Sequence, residues 1–317
     1  MESYSIPIMW GTSKDLSVFD FSFKGIIILD IESQEFEDYI LSLNSGYSFN
    51  VSFVRQALGK SFDIYDKKYA VVHKNFTDKI SIKDLYNVFR LLLIIFPSDL
   101  QITNEVNLEN NVAQGWIITS ITRNKTSFIR EYHGDLLFYR DNYVSELNEY
   151  LKLVFNRIDK IGYLDLAIYH YLTSYQTPHR HFIYSSLYTA LETIIPQGSE
   201  LKYRLKRNVA IICGNTKFEC KIISENINKF GNLRNNIVHG NSGFHKKLDT
   251  YIPRIRNLVS RVIIELLLHE ISEIKSLDEI LTEIGYGDRN KISKDWKKYE
   301  LNSLCLNDID IPIENKK

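Results

Sequence analysis

The stretch "NLRNNIVHGN", Asn232 to Asn241, places a guanidinium, Arg234, five residues before an imidazole, His239. Asn235 directly follows the arginine and Gly240 directly follows the histidine. These residue types suit phosphodiester chemistry. When RNA is cut by its own 2′-hydroxyl, one group must accept the hydroxyl proton and another must protonate the departing 5′-oxygen. Histidine, with an unperturbed pKa near ~6.5, can serve in either role at neutral pH. Arginine stays charged and its planar fork matches phosphoryl oxygens, so Arg234 suits the charge that builds on a scissile phosphate. Asn235 would orient the arginine, the histidine or the phosphate, and Gly240 permits a turn just beyond the histidine. The competing reading makes both side chains polar residues near a helix C-terminus, where cations interact well with the dipole, and on residue types and spacing alone this reading is the stronger.

Spacing constrains the first reading. Five residues along an unbroken helix are ~140° out of phase. Arg234 and His239 therefore converge only if the helix ends between them, or if each meets the other's copy in a dimer. Gly231, Gly240 and Gly243 favour a break in this region.

The elements that must position these residues are helical. From residue 141 onward the apolar residues recur at helical spacing: Val144, Leu147, Leu151, Val154, Phe155 and Ile158 form one stripe. Further helices are predicted over Tyr163–Tyr175, His179–Ile195, Leu201–Ile212 and Thr216–Leu233. Ser199 is placed as the cap of the third of these, and Gly214 as its terminator. A long apolar helix begins near Thr250, with Pro253 tolerated in its first turn. Within this half, "TALETII" (Thr189–Ile195), "RLKRNVAII" (Arg204–Ile212), "NLRNNIVHG" (Asn232–Gly240) and the long helix follow in that order.

This succession resembles the HEPN superfamily, specifically its Apea-like branch, over about residues 145 to 270. The family signature is Arg, four to six residues, then His, with a polar residue directly after the Arg; Arg234, Asn235 and His239 fit it. The resemblance implies an all-α bundle and a metal-independent endoribonuclease, often a toxin or antiviral effector, with no cofactor. It also implies a homodimer in which two Arg/His pairs face each other across one cleft, with RNA as the partner. A non-catalytic RNA-binding or dimerisation module is the alternative. Some HEPN toxins carry Tyr two positions after the His; here that position is Asn241, which weakens the analogy to toxins modified at that Tyr.

Glu192 shares a helical stripe with Tyr184, Tyr188 and Ile195, so a half-buried carboxylate is expected, with Arg207 or Arg234 as partner. A structural role, positioning the basic site, is favoured over proton transfer. Lys202, Arg204, Lys206 and Arg207 either follow an RNA backbone or form the wet side of a helix. His179 and His181, two apart on a helix, point apart, and no Cys or acidic cluster completes a metal site around them.

Net charge is zero, yet Ser199–Arg261 holds 13 Lys and Arg against 4 Asp and Glu, a local +9 balanced by −9 elsewhere. That segment suggests a local field for an anionic ligand, against the plainer reading of solvated helix faces, which charge counts alone favour. The first ~140 residues read as an α+β domain of unreadable chemistry, where family habit suggests a sensor for an unidentified trigger or inhibitor protein. Its candidate strands are Gly25–Ile31, Tyr47–Val54, Lys68–Lys74, Gly115–Thr122 and Asp135–Arg140, with a helix over Ser81–Phe96. The resulting organisation is an α+β domain (1–140), an all-α HEPN-type bundle (141–275) and a charged extension (276–317). No apolar run approaches the ~20 residues of a membrane-spanning helix. Three cysteines without a C-x-x-C pair, and no basic-then-apolar leader, predict a cytoplasmic protein.

Overall fold

The structure, a computed structural model, describes residues 3–12, 14–43, 54–56, 67–74, 82–97, 100–111, 115–123, 144–195, 200–214, 216–240, 245–269 and 271–284. The chain divides into two compact units, Met1–Phe155 and Asn156–Lys317. The first is α+β and the second is helical.

The first unit is built on a five-stranded antiparallel sheet: β1 (Ser3–Thr12), β2 (Ile26–Asp30), β3 (Lys67–His73), β4 (Gln101–Asn111) and β5 (Gly115–Arg123). Their spatial order is β2-β3-β1-β4-β5. Apolar runs drive the assembly. Tyr69 to Val72 of β3 are fully buried, and Ile6, Ile8 and Met9 of β1 sit in the same core. Helix α1 (Gln34–Leu43) packs near β2, and α2 (Ile82–Ile95) lies against β1 and β3, burying Leu91 to Ile95 in one run.

Helix α3 (Val144–Phe155) also belongs to this unit, whereas the sequence reading placed it with the bundle. Its side chains explain the difference. Asn148 accepts from the Asp20 N–H at 2.9 Å and donates to the Val18 carbonyl at 3.0 Å. Phe155 packs edge-on against Phe21 and Phe23, and the Lys24 ammonium lies 5.6 Å over its ring. The division consequently falls after residue 155 rather than near 140.

The second unit contains α4 (Gly162–Gln176), α5 (Arg180–Thr193), α6 (Leu201–Cys213), α7 (Lys217–Val238), α8 (His245–Leu268) and α9 (Ile274–Ile284). Helices α4 and α5 pair, α6 and α7 pair, and α8 runs against α4, α5 and α6. Arg157 closes the far end of α8 by donating to the carbonyls of Leu267 (3.2 Å) and Leu268 (2.6 Å), two of the orphan acceptors at a helix C-terminus. Helix α8 starts five residues before the expected Thr250, so Pro253 stands inside it rather than in its first turn. Gly214 follows α6 at φ −79°, so it is no left-handed terminator. A Cβ there would meet the Ala210 carbonyl at 2.8 Å and the Cys220 nitrogen at 2.9 Å, and this close approach is what demands glycine.

Predicted strand Asp135–Arg140, nearly all of Tyr47–Val54, the Ser199 cap and the tail beyond Ile284 lie outside the described residues. Among the described residues no helix is long and apolar enough to cross a membrane.

Candidate functional site

Helix α7 begins at Thr216, whose hydroxyl accepts from the Glu219 N–H at 3.1 Å. It then runs unbroken through Arg234 to Val238. His239 closes it: its N–H bonds the Asn235 carbonyl at 3.0 Å, and Gly240 turns the chain away at φ +68°, a conformation that favours glycine. The expected break between Arg234 and His239 is therefore absent. Buried Leu233 and half-buried Ile237 carry the helix's packed stripe across that interval. Gly231 does not end the helix; it lies where the phenol of Tyr188 comes close to α7.

An unbroken helix leaves the Arg234 and His239 side chains ~140° apart around its axis. The structure brings Arg234 to Glu192 and leaves His239 exposed at the helix end. Asn235 is exposed beside them, its carbonyl engaged in closing the helix.

Helix α5 supplies the anionic side of the site. Tyr184 donates to the Phe230 carbonyl at 3.0 Å, Tyr188 abuts Gly231, and Glu192 lies 3.8 Å from the Arg234 guanidinium. Arg234 is 36% exposed and Glu192 25%. The expected half-buried carboxylate is thus in place, and its cation is Arg234 rather than Arg207. Burial raises the Glu192 carboxyl above its ordinary 4.5, and Arg234 offsets only part of that rise. Burial likewise pushes Tyr188 up to about 12, with Glu192 adding to the effect and Arg234 opposing it.

A raised native pKa means that the folded state holds the proton more tightly than the unfolded chain. Its contribution to stability is complete below pH 4.5 and is lost as pH climbs through the raised value. Glu192→Gln, neutral throughout, is expected to gain stability relative to the wild type over that same rise and then to plateau. Denaturant melts from pH 4 to pH 7 measure this; a difference that stays flat across the range contradicts it.

Gly231 offers a second test. A Cβ at this position would stand 2.8 Å from the Tyr188 hydroxyl, and Tyr188 is only 5% exposed, so its ring has little room to swing aside. Glycine-to-alanine exchange inside a helix normally gains up to ~1 kcal/mol. Here overpacking reverses the sign, and Gly231→Ala is expected to cost about 1–3 kcal/mol. Tyr188→Phe in the Gly231→Ala background should recover part of the loss in a double-mutant cycle.

The basic residues of α6 divide into two groups. Lys202 donates to Asn232 at 3.2 Å, tying the start of α6 to the end of α7. Lys206 is half-buried. Arg204 and Arg207 instead turn to Asp278 of α9, at 2.6 Å and 3.6 Å. Asn208 donates to the same carboxylate at 3.1 Å, and Arg207 also reaches the Thr282 hydroxyl at 3.1 Å. Asp278 and Glu265, which pairs with Arg261, both lie outside the Ser199–Arg261 segment. Glu192, outside it too, takes Arg234, so the local +9 overstates the field offered to solvent.

At the other end of α5, the His179 and His181 rings stack with centroids 5.6 Å apart instead of diverging. His179 is the residue before the helix, with extended backbone, so helical phase does not apply to it. Among the described residues no group of three His, Cys, Asp or Glu side chains is arranged to hold a metal ion.

Compared with protein-family models, with curated proteins and with solved structures, the chain matches none.

Proposed function

We propose that the chain is a HEPN-type endoribonuclease that cuts RNA without a metal ion and acts as a homodimer. The observation that carries this reading is the placement of His239, exposed at the closing turn of α7, one helical stretch beyond an Arg234 steadied by Glu192. The 2′-hydroxyl oxygen attacks phosphorus, its proton passes to a base, and the bond from phosphorus to the 5′-oxygen breaks. The departing 5′-oxygen takes a proton from an acid, and a 2′,3′-cyclic phosphate and a neutral 5′-hydroxyl result. His239 supplies base or acid, and Arg234 neutralises charge on the phosphoryl oxygens. Because α7 is continuous, the two side chains of one copy stand on different sides of the helix. A second copy is what brings a histidine and an arginine to one phosphate.

The non-catalytic alternative draws on the same ion pair. An Arg234 engaged by Glu192 serves helix packing equally well. Incubating purified protein with RNA in EDTA separates the two. The nuclease produces fragments ending in 2′,3′-cyclic phosphate; intact RNA retained by the protein sinks the proposal. A toxin or anti-phage role, with the first unit as sensor, extends the reading, and equal bacterial growth on expressing wild type and His239→Ala counts against it.

A further inference from the structure

We propose that Arg204, Arg207 and Asn208 form a phosphodiester-binding cradle that Asp278 of α9 occupies in cis, so that α9 is a strap which an RNA backbone phosphate displaces. This rests on the proposal that RNA is the ligand, and it adds a second contact point and a control element to it.

Positions 204, 207 and 208 are spaced i, i+3 and i+4 on α6, so their side chains share one face. All three converge on one carboxylate: Arg204 to Oδ2, Asn208 and Arg207 to Oδ1. Asn208 is fully buried, and its own Oδ1 accepts from the Arg207 Nε at 3.0 Å, which fixes both the amide and the guanidinium. Two guanidinium groups and an amide N–H, held in advance around one anion, match the acceptor pattern of a phosphate as well as that of a carboxylate.

The occupant is lightly attached. Helix α9 has 11 residues, and Leu277 and Leu281 are its only buried residues. Its main packing among the described residues is against α6. A phosphodiester carries the same single negative charge as the carboxylate it replaces, so exchange leaves no guanidinium unpaired. Loss of the two leucine contacts opposes that exchange, and this sets how much RNA is needed to lift the strap.

The test uses the full chain with a His239→Ala substitution, fluorescein-labelled oligo(U) as probe and inorganic phosphate as control. Asp278→Ala is expected to tighten oligo(U) binding about tenfold at low salt. It should also steepen the log–log salt dependence by about 1.4, or ~0.7 for each of the two guanidinium groups that lose Asp278 and can meet a phosphate on a single strand. Adding Arg204→Gln and Arg207→Gln should cancel both changes. Unchanged affinity and salt slope, with only a lower melting temperature, overturn the proposal by making Asp278 a purely structural partner. Should Asp278→Ala fail to fold, the His239→Ala protein itself decides: oligo(U) must speed amide exchange in Ile274–Ile284 beyond what phosphate does, and constant exchange overturns the strap. Binding is read without cleavage, so a chain that binds and releases the strap yet never cuts RNA refutes the nuclease alone.

Discussion

His239→Ala is expected to lower RNA cleavage by about 10²–10⁴-fold, the usual contribution of a positioned acid or base, while leaving the melting temperature unchanged. Stability is spared because the imidazole is exposed and the helix closure uses the His239 backbone N–H, which alanine keeps. Arg234→Ala should abolish cleavage to a similar degree but behave differently on heating. Removing the guanidinium leaves Glu192 half-buried without its cation, so the variant loses stability as well. Arg234→Lys keeps the charge and forfeits the planar fork, and should recover stability better than activity. The continuity of α7 adds a sharper outcome. If the histidine and arginine at one phosphate come from different copies, mixing the two inactive single variants restores a fraction of the activity through mixed dimers. Full activity in a strictly monomeric preparation, or wild-type rates for His239→Ala, would remove the basis of the catalytic assignment.

How much of this was legible in the sequence depends on which residues are asked. The helices of the second unit announce themselves because their apolar stripes are long and regular, and α4 to α6 fall close to their expected ranges, whereas α7 runs five residues past the expected Leu233 to Val238. Glu192 as a half-buried carboxylate was readable from Tyr188 and Tyr184, one and two turns away on the same face. Strand β1 was not readable, since Pro7 argues against a central strand. The structure resolves this: β1 pairs with β3 only from Ile8 onward, so no ladder on that side is interrupted by the missing N–H. Strand β4, "QITNEVNLENN", is rich in residues depleted from strands, and its pairing with β1 and β5 overrides the local preference. Helix α9 was hidden inside a segment taken as a charged extension, although Ile274, Leu277, Leu281 and Ile284 recur at helical spacing. Which acid takes which arginine is a matter of tertiary approach. Asp278 and Glu192 lie far along the chain from Arg204 and Arg234, and spacing alone offers no way to match them.

The largest stability effect is expected on α8. Its apolar stripe was evident, yet its other faces are buried as well: Arg256, Ser260, Arg261 and Glu265 are at most 4% exposed. Arg256 stacks 4.4 Å over the Tyr175 ring. Arg261 donates to Glu265 Oε1 through Nε at 2.9 Å and lies 2.7 Å from it through Nη2, with side chains 5% and 0% exposed. A pair so deep in the protein is costly to desolvate, and its net contribution as a pair is small. Breaking it is another matter. Glu265→Ala strands a guanidinium that cannot neutralise itself, and should destabilise the helical unit by about 3–5 kcal/mol, a large share of the roughly 5–15 kcal/mol that folded domains possess. Replacing both partners together, Arg261→Met with Glu265→Leu, keeps volume without charge and should regain most of that loss. Amide exchange of α8 reads the helical unit directly, which suits a chain of two compact units that need not melt together. If Glu265→Ala costs no more than the double replacement, the guanidinium has found water or another acceptor. The pair would then be a bystander to the packing of α8 rather than its constraint.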